Sequence, residues 1–189
     1  MKRNELPQKE PYPYRRRPHV NLPIRELTIF GMYGALMFVS KIVMEFLPNV
    51  HLLGTLTMVA TVVWRKKALI PIYGYVALYG AFAGFSVWWM PYLYIWTLLW
   101  GATMLLPKRM PKKVAAVVYP ILCSLHGFLF GILYAPAQAL FFELNFEQTL
   151  AWIATGAVFD VIHGVSNFAV GLLVLPLSEL VEKLAKSPT

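Results

Sequence analysis

From Ala68 to Leu106 the chain runs for 39 residues without one charged side chain. A helix of that length would extend about 58 Å at 1.5 Å per residue, nearly twice the roughly 30 Å of a bilayer's hydrocarbon core. The stretch therefore has to fold back on itself. The natural break is Trp88-Trp89-Met90-Pro91-Tyr92, where Pro91 interrupts helix and the aromatic side chains suit a membrane interface. The whole sequence is 58% hydrophobic and 14% charged, more apolar surface than a soluble exterior can hide, so lipid is the solvent for much of it. Its 189 residues leave room for one domain of about six spans.

The expected fold class is all-α, a polytopic six-helix membrane bundle. The spans are predicted at about 27–47, 49–64, two within 68–106, 114–134 and 149–175. Residues 135–148 form an outer connection holding Glu143 and Glu147. Residues 1–23, with five prolines and clustered charge, read as a disordered basic tail. The membrane domain covers 24–180, and a C-terminal tail covers 181–189. No apolar segment with a cleavage site opens the chain, so no cleavable signal peptide is expected. The net charge of +8 raises nucleic acid as a partner, but its distribution argues against it. Sixteen of the seventeen Lys and Arg fall in the tail through Arg25, in Arg65-Lys66-Lys67, in Lys108–Lys113 and at Lys183 and Lys186. The positive-inside rule puts all of these on the cytoplasmic side, with both termini inside and the loops near 46–50, 87–92 and 136–148 outside. Only Lys41 stands apart.

Ionisable groups at membrane depth are functional-site candidates. Lys41 and Glu45 lie one turn apart, so they can pair with each other or meet a solute beside Asn49 and His51. Asp160, His163 and Asn167 share one helix face, which serves either a hydrogen-bonded network, with His126 at similar depth, or a polar pocket floor or proton relay. Two separated histidines and one acid make a poor metal site, and none is expected. Trp88, Trp89, Tyr92, Tyr94 and Trp96 are denser than an interfacial belt requires and equally fit the lining for a flat ligand. Gly31-x-x-x-Ala35, Gly80-x-x-x-Gly84 and Gly127-x-x-x-Gly131 put small residues on single helix faces, and Gly34 widens the first of these into a face that could receive a partner helix. Cys123, the single cysteine, reads as a core residue. No phosphate loop, His-Glu-x-x-His or Gly-x-Ser-x-Gly is present, so no enzyme activity is expected and active transport would need an energising partner.

Gly31…Ala35, then Lys41…Leu47-Pro48-Asn49-Val50-His51-Leu52, the Trp89…Pro91-Tyr92-Leu93-Tyr94-Ile95-Trp96 segment, Asp160-x-x-His163-x-x-x-Asn167 and Pro176-Leu177 follow one another in the order and spacing of a known family. Over about residues 25–180 the chain resembles the substrate-binding S component of energy-coupling factor (ECF) transporters. That resemblance implies a multi-pass protein of the bacterial cell membrane that binds a vitamin or related micronutrient on its outer side. It implies association with a transmembrane coupling subunit and two ATPase subunits, which use the ATP, while the chain itself holds no cofactor. It assigns Gly31 and Ala35 to the coupling-subunit interface, and Asn49, His51, Trp96, Gln138 and Asp160 to the ligand. The aromatic lining fits a planar solute such as a flavin, pterin, deazapurine or corrinoid-related compound. The competing expectation is an autonomous proton-coupled carrier relaying through Asp160 and His163, or a membrane structural protein; no inverted repeat favours the carrier.

Overall fold

A computed structural model describes residues 23–108 and 110–186. The tail expected over 1–23 lies, apart from Pro23, outside the described residues, as do Arg109 and residues 187–189. Among the described residues every regular element is helical: α1 Ile24–Val43, α2 Leu53–Trp64, a 3-10 turn Arg65–Ala68, α3 Leu69–Ala83, α4 Tyr92–Leu105, α5 Lys112–Phe128, α6 Phe130–Phe141, α7 Phe146–Gly171 and α8 Val174–Lys186. Where water is absent a helix satisfies its own backbone donors and acceptors, which is why apolar stretches this long take that form.

Three of these units are long and apolar enough to cross a membrane: α1, the α5–α6 rod Lys112–Phe141 and α7. The helices α2, α3 and α4 have 12, 15 and 14 residues, and the first reaches only about 18 Å. Its shortness follows from its place. Every residue from Leu53 to Thr61 is buried, because α2 is the central post against which α1, α3, α4, α5, α7 and α8 pack.

Several boundaries differ from the sequence reading. α1 stops at Val43 and gives way to tight turns, with the Met44 amide on the Ser40 carbonyl and the Leu47 amide on the Met44 carbonyl. α2 starts at Leu53, four residues later than expected, because Pro48 and the left-handed Asn49 (φ 57°) interrupt helix. Most of the expected outer connection 135–148 is helix: α6 continues through Pro136 to Phe141, and α7 begins at Phe146 behind an Asn145/Gln148 capping box. Gly84 does not share a helix face with Gly80. It lies just past α3 at φ +91° and ends it. The expected boundary at residue 180 falls within α8.

Polar ties gather one end of the bundle. Lys67 Nζ meets Glu26 at 2.7 Å, Arg65 Nη2 donates to the Met104 carbonyl at 2.7 Å, Trp100 Nε1 donates to the Arg65 carbonyl at 3.1 Å, and Lys112 Nζ meets Glu179 at 2.7 Å. The start of α1, the α2–α3 junction, the end of α4, the start of α5 and α8 thus lie at one basic end. At the other end the Tyr134 hydroxyl donates to the Trp88 carbonyl at 2.7 Å, holding the 84–91 loop to α6.

Candidate functional site

The site is built where the chain returns from α1 into the bundle. Asn49 turns the backbone, and its carbonyl accepts the Ser166 hydroxyl of α7 at 2.9 Å. This draws His51 down to α7, where its ring centroid lies 4.6 Å from that of His163. His51 and the basic end stand at opposite ends of α2, about 18 Å apart along its axis. Above it is a cavity of about 240 Å³ lined by Lys41, Glu45, Asn49, His51, Tyr92, Phe130 and His163, with Met44, Leu47, Pro48 and Val50 of the returning loop.

The walls are aromatic and polar together. Phe130 packs on His163 with centroids 4.7 Å apart, and Trp96, 1% exposed, lies behind His51, Tyr92 and His126. His163 is 2% exposed, and neither of its ring nitrogens has a partner in the protein. His51 Nδ1, His126 Nδ1 and Trp96 Nε1 are likewise buried without partners. Buried polar atoms are almost always satisfied, and of these residues His51 and His163 line the cavity itself, which suits it to a polar guest. At the mouth Lys41 Nζ stands 3.5 Å from Glu45 Oε1 and 5.5 Å above the centre of the Tyr79 ring.

The remaining expected site residues are placed elsewhere. Trp89 Nε1 donates to the Val76 carbonyl at 2.8 Å. Gln138 is buried within α6 and does not line the cavity. Asp160 Oδ1 accepts the Gly131 amide at 3.0 Å, and the Asn167 side-chain amide donates to the Cys123 carbonyl at 3.3 Å. Asn167 stands at a junction of three helices, where an added Cβ on Gly54 of α2 would come 3.1 Å from Cys123 Sγ and 3.4 Å from Asn167 Nδ2. Among the described residues no group of three or more His, Cys, Asp or Glu is arranged to hold a metal ion. Phe130 is the lining residue outside the 44–50 loop that sequence reasoning missed. It is one apolar residue in an apolar run, and only the break between α5 and α6 turns it toward His163.

The small-residue face divides. Gly34 is buried against α3, where an added Cβ would meet the Pro71 carbonyl at 3.0 Å. Gly31 has nothing within 4 Å of such a Cβ and opens on an apolar groove with Leu27, Ile70 and Gly74. Ala35 lines a larger apolar groove of about 640 Å³ between α1 and α8, with Met32, Leu36, Val39 and Leu184. That groove is bigger than the cavity but is walled mostly by exposed apolar side chains, as a lipid-facing surface would be.

Comparison with protein-family models, with curated proteins and with solved structures finds no match to this chain. Fold and site therefore define a class of the coarsest kind: a chain helical throughout its described regular elements, with three helices long and apolar enough to cross a membrane and a cavity lined by polar and aromatic side chains.

Proposed function

We propose that this chain is the solute-binding S subunit of an ECF-type importer, crossing the bacterial cell membrane six times and binding a vitamin or related micronutrient from outside. The observation that carries the reading is the cavity walled by unpartnered imidazoles at a distance from the basic end. With the basic end in the cytoplasm, that cavity faces the outside through Lys41 and Glu45. α1, α2, α3, α4, the α5–α6 rod and α7 would be the six passes, with α2, the shortest, shielded by its neighbours. The chain carries no phosphate-binding loop, so ATP would be used by partner ATPases, and Gly31 and Ala35, which face outward, would meet the coupling subunit. The carrier reading is weaker because Asp160 is committed to a backbone amide.

Mass spectrometry of small molecules retained through purification in mild detergent, with identification of co-purifying proteins, tests this reading. A retained organic solute together with coupling and ATPase subunits is the expected result; a chain that purifies alone and empty would sink it. The topology is checked separately with Lys66→Cys and Glu143→Cys, Cys123 being buried. An impermeant maleimide should label residue 143 from outside and residue 66 only after permeabilisation.

A further inference from the structure

The reading above leaves the solute open, and the walls of the cavity narrow it. We propose, building on that reading, that the ligand is an uncharged planar heterocycle of one or two fused rings that carries both N–H donors and carbonyl or ring-nitrogen acceptors.

Size sets the first limit. A cavity of about 240 Å³ exceeds the roughly 150 Å³ that admits benzene and falls below the roughly 300–1,000 Å³ typical of drug-sized ligands. One substituted ring or a fused pair fits within it. Shape sets the second, since Tyr92, Phe130 and His163 make part of the lining aromatic.

Charge and hydrogen bonding decide the rest. The two charged groups at the mouth, Lys41 and Glu45, are paired with each other at 3.5 Å, so the lining has no surplus charge to balance an ion. A neutral imidazole presents one donor and one acceptor. Both nitrogens of His163 and Nδ1 of His51 lie buried without partners in residues of the lining, so a turn of either ring brings a donor and an acceptor to the wall. A carboxylate or phosphate only accepts, and would leave the lone-pair nitrogens unsatisfied. A lactam or amidine heterocycle supplies both kinds of group in one plane.

The experiment uses the full-length protein in nanodiscs, stripped of any co-purified solute, with calorimetric titration of hypoxanthine and uracil against benzoate and toluene. Hypoxanthine or uracil should bind about tenfold or more tightly than benzoate, the anion of similar size, and than toluene, which lacks hydrogen-bonding groups. His163→Phe should weaken the heterocycle about tenfold or more, while His163→Gln, which keeps a donor and an acceptor, should restore most of the affinity. The unliganded melting temperature of each variant reports whether it is folded. Benzoate or toluene binding as well as the heterocycles would overturn the proposal, as would failure of both heterocycles to bind, or unchanged affinity in a His163→Phe protein that melts like the parent. A co-purified solute that is ionic or lacks such a ring would overturn it too while leaving the importer reading intact; loss of the importer reading shows separately, as absent partner subunits.

Discussion

Asp160 of α7 accepts the backbone amide of Gly131 at 3.0 Å, across the point where α5 gives way to α6. In an unbroken helix that amide would bond the Gly127 carbonyl. Here the carboxylate takes it, and the helix breaks at Leu129. A side chain inserted into the hydrogen-bond ladder is a recognised cause of such a kink, and a carboxylate at the start of α6 also complements that helix's dipole. The break turns Phe130 onto His163, so a residue away from the cavity shapes its wall.

Asp160→Asn keeps an acceptor for the amide and should melt close to the parent. Asp160→Ala leaves the Gly131 amide unmet in apolar surroundings and should cost about 1–3 kcal/mol, read by thermal unfolding in detergent. Equal melting of Asn and Ala variants would show that the hydrogen bond contributes nothing.

Gly34 and Gly31 differ in what they touch, and the same substitution should separate them. Gly34→Leu pushes α1 off the Pro71 carbonyl of α3 and should destabilise by about 1–3 kcal/mol. Gly31→Leu meets open space and should leave thermal stability unchanged. If Gly31 faces a coupling subunit, Gly31→Trp abolishes uptake and complex formation while solute binding persists; preserved uptake would remove it from that interface.

Arg65 combines a left-handed backbone (φ 54°) with a guanidinium on the Met104 carbonyl at the end of α4. Arg65→Ala loses the charged hydrogen bond, a loss of about 1.5–3 kcal/mol, and keeps the strained backbone. Arg65→Gly loses the same bond but relieves about 1 kcal/mol of strain. The glycine variant should therefore melt above the alanine variant, and the reverse order would show that the backbone is not strained there.

Glu179 on α8 is held below the usual glutamate range by its hydrogen bond and charge attraction to Lys112, with Lys183 adding to it. A lowered carboxyl pKa contributes stability above the ordinary value of about 4.3 and loses it as pH falls through the lower folded value. Carboxyl-carbon NMR should show Glu179 titrating below that ordinary value, and returning toward it in Lys112→Met or at high salt. An unchanged titration in Lys112→Met would remove the α5–α8 tie.

The Lys41–Glu45 pair could be read from its one-turn spacing, and the structure forms it at 3.5 Å. Trp89 and Asp160 could not be placed that way. Each carries a polar group that suits a pocket, yet each is spent on a backbone partner in the helix that precedes it, the Val76 carbonyl and the Gly131 amide. Residue type says that such a group needs a partner; it does not say which chain segment supplies one.

Composition and charge order pointed to helices, to a fold-back within residues 68–106 and to a gathering of most basic residues at one end, because these follow from local hydrogen bonding and from the separation of charged from apolar stretches. The convergence of His51 and His163, the burial of α2 as a central post, the break that aims Phe130 and the division of labour between Gly31 and Gly34 arose from packing. Those relationships join residues up to a hundred or more positions apart, and the close approach of whole helices, absent from any local pattern, is what creates them.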